Sequence, residues 1–334
     1  MILFYIFARS LIFFYKNDFC IIFFLYFCSS VYGTNISRSR AVVARRAHNP
    51  EVAGSNPVSA TKINNVCICA HFFFIYKMGH SFWSYISYLM RKKRSAHSAF
   101  VFDFIENVLK NRDTLPIWKE IEKKRRHLLL SNHYIYVTDL GANSNKHGFN
   151  SHKKIKSITA HSSKSIHWCR FLARLVRKYQ CENIIEFGTA VGISTAYLAT
   201  ANPDKARVFT VEGCSEIAEV AEYVFKDLCI DNIDLVNTDF EYVINNMKEK
   251  FNNVDLFFLD GNHIYEATTH YFNVVKEYAK PSSIFIFDDI HWSKDMEKAW
   301  EEIWKDEKVT ISIDLFQMGV VFFREGIVKQ HFIL

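Results

Sequence analysis

The sequence predicts an α/β protein: a doubly wound, mostly parallel seven-stranded sheet with a terminal antiparallel hairpin strand, preceded by a mainly helical N-terminal extension. Three observations carry that expectation. Short and nearly all-apolar runs recur from residue 183 onward, helical patterns alternate with them, and the last two runs are separated by only two residues. Alternating strands and helices imply a parallel sheet covered on both faces, and strands buried on both faces read as continuous apolar runs. A two-residue link can close a hairpin but not a crossover, so one of the final strands must run against the others.

The strand-like runs are Asn183–Glu186, Arg207–Glu212, Ile233–Asn237, Val254–Asp260 and Ser283–Asp288, then Val309–Phe316 and Gly319–Arg324, joined by Gln317 and Met318. Between them the helical patterns are Ser194–Ala201, Ser215–Cys229, Phe240–Lys250, Ala267–Ala279 and Met296–Asp306. Upstream, Phe82–Arg94 is aromatic and apolar and ends in a basic cluster. Phe100–Lys110 and Leu115–Leu130 have helical spacing, Ser162–Tyr179 reads as a helix leading into the sheet, and the polar Asn143–Lys156 reads as a mobile loop. The stretch from Asp139 to Ser144 carries a glycine but lacks a strand-to-helix context, so it too is read as loop.

Charge is distributed unevenly. The net +6 equals the balance of residues 1–77 alone, which hold eight Lys/Arg and two Asp/Glu; residues 78–180 carry +14 and residues 181–334 carry −14. A uniformly basic nucleic-acid binder is excluded, as are disordered and collagen-like chains, because 49% of the residues are hydrophobic. The eight cysteines include no C-x-x-C pair, which points to reduced thiols rather than a disulfide framework or a structural metal.

Residues 1–77 are set apart. Two apolar runs, Ile2–Tyr15 and Phe19–Tyr32, each fall short of the ~20 residues that span a bilayer. Ala47–Lys62, with Gly54-Ser-Asn-Pro57 at its centre, resembles the conceptual translation of a transfer-RNA gene, and its surroundings resemble translated AT-rich intergenic sequence. These residues are therefore expected to be an over-extended reading frame, with the working start at Met78 or Met90. The expected domains are then an accessory region, 78–160, and a catalytic domain, 161–334. The expected location is cytoplasmic, with a membrane anchor only if residues 1–35 are expressed.

The chemistry-bearing residues sit at the ends of the strands. Glu186-Phe-Gly188-Thr189-Ala-Val-Gly192-Ile-Ser194-Thr195 closes a strand with a carboxylate, turns on glycine and opens a helix. Such a turn brings backbone close to a ligand and presents the unpaired amides of a helix N-terminus. The glycine spacing is wrong for the dinucleotide fingerprint. Glu212, before Gly213, ends the second strand, where a carboxylate can accept both hydroxyls of a ribose. Asp239 ends the third; a helix cap is the alternative for both. Asp260, followed by His263, ends the fourth strand, and Asp288-Asp289 ends the fifth, followed by His291-Trp292. Parallel strands bring these carboxylates to one edge, where they repel unless protonated or compensated by a cation. Oxygen donors suit Mg²⁺ or another hard divalent ion.

The pattern Glu186-x-Gly188-x-x-x-Gly192-x-Ser194-Thr195, taken with these later carboxylates, resembles the class I S-adenosylmethionine (SAM) methyltransferases, and among them metal-dependent O-methyltransferases of the catechol, caffeoyl-CoA and macrocin type. The resemblance implies the Rossmann-like methyltransferase fold and transfer of a methyl group to a small-molecule hydroxyl. It implies that Glu186, Gly188, Thr189, Gly192, Ser194, Glu212, Gly213, Asp239 and Asp260 position SAM, with Asp239 at the adenine amino group, and that Asp260, Asp288 and Asp289 hold a divalent cation. His263 stands where the catechol and caffeoyl-CoA enzymes carry a catalytic lysine, so it is the expected base, with Asp260 beside it; His291 and Trp292 are expected to shape the pocket. Ser95–Asp103 resembles the extension of bacterial methyltransferases of this type. No nucleic-acid or membrane partner is expected, and a homodimer is allowed for. The rivals are a nucleotide-dependent oxidoreductase and a basic binding module that uses Phe82–Arg94. The basic region is expected to fold over the acidic edge or to recruit an anionic substrate.

Overall fold

The structure, a computed structural model, describes residues 80–91, 98–139 and 149–334, all within the unit Phe74–Leu334. The readings made for residues 1–77 and for Lys92–Arg94 lie outside them. The extension contributes helices α1 (His80–Arg91), α2 (Ala99–Phe104, continued by a π turn Ile105–Leu109), α3 (Pro116–Leu130) and α4 (Ile155–Ser162), with a two-stranded antiparallel ribbon of β1 (Tyr134–Asp139) and β2 (Phe149–Lys154). The ribbon corrects the expectation of a loop from Asn143 to Lys156 for residues 149–156, the only part of it among the described residues: residues 149–154 pair with β1, and helix α4 begins at Ile155. Their polar composition hid the strand because β2 forms one side of a two-stranded ribbon and has no apolar sheet face to advertise it.

The main domain follows as α5 (Ile166–Tyr179), β3 (Asn183–Phe187), α6 (Ile193–Ala201), β4 (Arg207–Glu212), α7 (Ser215–Asp227), β5 (Ile233–Asn237), α8 (Phe240–Asn246), β6 (Leu256–Leu259), α9 (Tyr265–Val275), β7 (Ile284–Asp288), α10 (Lys294–Lys305), β8 (Ile311–Asp314), β9 (Met318–Phe322) and β10 (Gln330–Ile333). The strand order is β10-β8-β9-β7-β6-β3-β4-β5, and only β9 runs antiparallel to its neighbours. The hairpin is the predicted one, with its link at residues 315–317. An eighth strand, β10, joins in parallel beside β8; it is only four residues long and half-buried, so it carries little of the apolar signal that marks the others.

Alternation along the strands builds two cores. Ile184 of β3 and Ile284 and Ile286 of β7 face one layer, shared with Val101, Phe104, Trp118 and Ile121 of the extension and with Leu172 of α5. Ile185, Phe187, Phe257, Phe285 and Phe287 face the other, against Val243, Phe272 and Trp300. Successive side chains point to opposite faces of a strand, so one run feeds both layers. The extension packs into the first: the Trp118 and Tyr197 rings lie 5.4 Å apart, and Arg174 Nη1 donates to the Val108 carbonyl at 3.1 Å. No helix among the described residues is long and apolar enough to cross a membrane.

The tip of β7 is fixed from behind. His291 is buried, its Nε2 2.9 Å from Asp314 Oδ2 at the end of β8 and its Nδ1 3.0 Å from Glu297 Oε1 of α10, with the ring stacked on Phe316. These contacts tie the loop after β7 to the end of β8 and to α10. Burial works against its charged form, but Asp314 and Glu297 outweigh it and raise its pKa above the ordinary histidine value. A raised native pKa contributes stability that is fully present below the unfolded value of about 6.5 and is lost as pH climbs through the native one. Urea unfolding should therefore show wild type exceeding His291→Gln by about 3 kcal/mol near pH 6, with the gap narrowing as pH rises past neutrality. A gap independent of pH would mean that His291 is held neutral.

Candidate functional site

Four strand ends meet at one edge because the registers align them: Phe187 pairs with Val211 and with Leu259, and Leu259 pairs with Phe287. The next residue on each strand is a site residue or leads to one: Gly188, Glu212, Asp260 and Asp288.

Gly188 is the closest approach. Its φ is +110°, and a Cβ there would lie 2.1 Å from the Asp260 carbonyl oxygen. The Asp260 amide in turn donates to the Phe187 carbonyl at 2.8 Å. A side chain at residue 188 would push the two strand tips apart. Gly192, at φ +79°, is the N-cap position of α6, and a Cβ on it would sit 2.6 Å from the Phe225 ring. The turn between them presents backbone to the open edge, while the Thr189 hydroxyl bonds inward to the Thr210 hydroxyl at 2.7 Å. Ser194 is buried on the first turn of α6.

Glu186 lies beneath this turn, fully buried, and accepts from Thr195 Oγ1 at 2.5 Å and Thr210 Oγ1 at 2.8 Å. Burial pushes its pKa up to about 7 against those hydrogen bonds. It ties β3, β4 and α6 together from the core side. Glu212 sits at the edge itself. Its Oε2 accepts from the Ala190 amide at 2.9 Å and its Oε1 from the Cys214 amide at 3.0 Å, which fixes the carboxylate plane and leaves lone pairs on both oxygens. Burial raises its pKa despite these amides. Gly213 follows it in the turn into α7. Asp239 is exposed and caps α8 by accepting from the Tyr242 amide at 2.6 Å, which is the capping alternative that the sequence left open.

On the other side of Gly188 the structure brings Asp260, His263 and Asp288 together: one ligand-type atom from each lies within 4.8 Å of the others. His263 Nε2 is 3.7 Å from Asp260 Oδ1 and 4.0 Å from Asp289 Oδ2, and its ring lies parallel to the exposed Trp292. Asp289, at φ +53°, and Asn262, at φ +52°, hold left-handed backbone on the two loops that carry these groups. Strain of this kind persists only where the surrounding structure enforces it. Burial and then the Asp260 charge push Asp288 up to about 6, against the opposing pull of Lys164. Asp289 is raised by burial and by Asp288.

That lysine is the residue the sequence did not single out. Lys164 lies in the short link between α4 and α5; its Nζ is 3.0 Å from Asp260 Oδ1 and directly contacts Asp288 Oδ2. Burial disfavours its charge, yet Asp260, Asp288 and Asp289 together hold its pKa above the ordinary lysine value. The predicted helix Ser162–Tyr179 had absorbed it, whereas the structure ends α4 at Ser162 and begins α5 at Ile166. No spacing marks such a residue. The available signal was electrostatic: three converging carboxylates require a cation, and the segment leading into the first strand of the sheet is basic.

Residues 185–290 match the model of a family described as a methyltransferase domain. The match runs from β3 through the loop after β7 and so takes in Glu186 to Asp289, the same residues on which the sequence resemblance rests; Lys164 lies upstream of it. No curated protein matches the chain. Among solved structures the chain is similar to the O-methyltransferase from Bacillus cereus in complex with SAH, at 18% identity over 67% of this chain and 97% of that one, with a TM-score of 0.45. It is similar to an SAH-bound methyltransferase from Podospora anserina at 14% identity, 70% and 99% coverage and a TM-score of 0.47. It is similar also to the O-methyltransferase of tomaymycin synthesis from Streptomyces achromogenes, in complex with SAM, at 14% identity, 68% and 96% coverage and a TM-score of 0.46.

The sheet thus places the β3 turn, Glu212 and the carboxylate cluster along one edge, with Glu186 behind it and His291 bonded to Asp314 and Glu297. The contact at Gly188 yields a direct expectation. Gly188→Ala should lower unfolding free energy by about 2–4 kcal/mol, from a strained φ together with an overpacked strand tip. Urea melts would read this; a loss under about 0.5 kcal/mol, the range of an ordinary surface change, would show that the β3–β6 approach is not tight.

Proposed function

We propose that the chain is a SAM-dependent methyltransferase acting on a small-molecule hydroxyl. The observation that carries the reading is the arrangement around the β3 turn. Gly188 keeps the turn free of a side chain, and beside it Glu212 is held by two amides that leave lone pairs on both of its oxygens. That fits a nucleoside laid across the strand tips, its vicinal hydroxyls on Glu212. Asp239, already fixed as a cap, lies at the far end of the same edge with its second oxygen available to an adenine amino group. SAM supplies an electrophilic methyl group for in-line transfer to the acceptor oxygen.

The protein's own residues do the rest. Glu186 holds β3, β4 and α6 in one position from the core, so the turn meets its ligand preorganised. Asp260 stands between the turn and the cluster. His263 is the base in this reading: a half-buried imidazole within 4.0 Å of two carboxylates, with room at the open side to take the acceptor's proton. Trp292 lies parallel to it and gives a flat acceptor a wall. The acceptor being a small molecule, and a second copy of the chain being unnecessary to the site, belong to the same proposal.

The expected divalent cation fits less well. Asp260, Asp288 and Asp289 supply oxygen donors of the right type, but the Lys164 ammonium stands on Asp260 and Asp288. An ion held at the ~2.1 Å typical of Mg²⁺ would collide with it, so no step is assigned to a metal.

Calorimetric titration with S-adenosylhomocysteine, with NAD as the comparison ligand, tests the reading. Binding of the first and not the second is expected, and Glu212→Gln should weaken it about tenfold or more, the worth of a charge-assisted hydrogen bond. Binding of NAD alone would turn the reading toward an oxidoreductase.

A further inference from the structure

We propose that Lys164 is the resident cation of the carboxylate cluster: its tethered ammonium takes the place that a divalent ion would occupy on Asp260 and Asp288, so that the site works without a metal. The inference rests on the site being the acceptor edge of a methyltransferase, and it names the cation there.

The first argument is position. The ammonium engages one oxygen of Asp260, at 3.0 Å, and one of Asp288, the same two carboxylates that with His263 make the cluster capable of holding an ion. Lysine and metal are therefore alternatives. The second is that Lys164 is built in. Its side chain is only 17% exposed, whereas a surface lysine stays solvated and loosely placed. Its backbone is clamped as well: the Lys164 carbonyl accepts from Arg125 Nη1 and from Cys169 Sγ, the latter at 3.5 Å. Arg125 is itself buried and paired with Glu122 at 3.1 Å, so the clamp belongs to the fold of α3 and α5. Immediately after Lys164, Ser165 starts α5, its carbonyl accepting from the Cys169 amide at 3.0 Å. The link is thus held at both ends while the side chain reaches the sheet edge.

The third argument is chemical. An ammonium has three N–H donors and no acceptor; two are used on Asp260 and Asp288, leaving one for an acceptor oxygen at the open side. It can polarise and place a single hydroxyl, but it has no paired coordination positions at which to chelate two. An acceptor for this site accordingly needs no vicinal oxygens.

Mn²⁺ provides a probe for the full chain. Electron paramagnetic resonance titration of wild type should show no specific Mn²⁺ uptake at millimolar metal, and chelator should leave its melting temperature unchanged. Lys164→Ala should gain a Mn²⁺ site at least about tenfold tighter than any residual wild-type binding, because the competing charge is gone. The double variant Lys164→Ala/Asp288→Asn should lose it again. Lys164→Met, which keeps the stem and removes the charge, serves if the alanine variant is unstable, with Mn²⁺-dependent thermal shift as the readout. Wild type binding Mn²⁺ through Asp288, or neither single variant gaining a site, would overturn the proposal. S-adenosylhomocysteine titrated against wild type reports separately: its binding there with no gained metal site sinks only the lysine, and its failure to bind sinks the methyltransferase reading.

Discussion

Three carboxylates that share the edge of a parallel sheet repel one another unless they are protonated or compensated by a positive charge, and the rest of this molecule is arranged around that constraint. Asp260 and Asp288 end adjacent strands in register, so the sheet forces them together. Asp289 follows on strained backbone and is pushed up in pKa by burial and by its neighbour. Removing one partner from such a buried group leaves an uncompensated charge and costs about 3–5 kcal/mol. The compensation comes from outside the sheet, from the link into α5. That makes the position of α5, and of α3 which clamps the link through Arg125, a condition for the edge to exist in its present form.

The fold was legible because its signals are local and repeated. Strand β4 falls on the predicted residues, since a buried parallel strand is a continuous apolar run whose limits are set by turn residues on both sides, and β5 does so as well although it is the half-exposed strand at the end of the sheet. The reversed β9 followed from the shortness of a link, a constraint that no side-chain detail can evade. What escaped was non-local. β2 is polar because it pairs in a two-stranded ribbon, and β10 is short and half-buried at the edge of the sheet. Neither leaves a periodic trace.

The site was legible to a different depth. Strand-end carboxylates are visible in a sequence, and the turn residues Gly188 and Gly192 announce a close approach. Their partners are not. Nothing in the spacing said that Glu186 would be spent inward on Thr195 and Thr210, and the helix cap formed by Asp239 was one of two readings the sequence left open. His291 lies next to the Asp pair in sequence but is spent on Asp314 and Glu297, two carboxylates that no spacing points to. Lys164 precedes the family-matched segment by about twenty residues and reaches its centre.

The charge asymmetry of the chain takes a sharper meaning from these contacts. A basic region of +14 facing an acidic one of −14 could act as a long-range field, but the Debye length in physiological salt is only about 8 Å. The described contacts are instead short and specific. Lys124 of α3 meets Asp227 of α7 at 2.5 Å, and Lys164 meets the carboxylates of the sheet edge. Pairs of this kind set position where a diffuse potential would set only attraction. The segment that precedes the sheet is therefore fixed to its edge by ion pairs, and without Lys164 the carboxylates of Asp260 and Asp288 would lose their ammonium partner. The basic half of the sequence thus contributes the ammonium that compensates Asp260 and Asp288 of the acidic half.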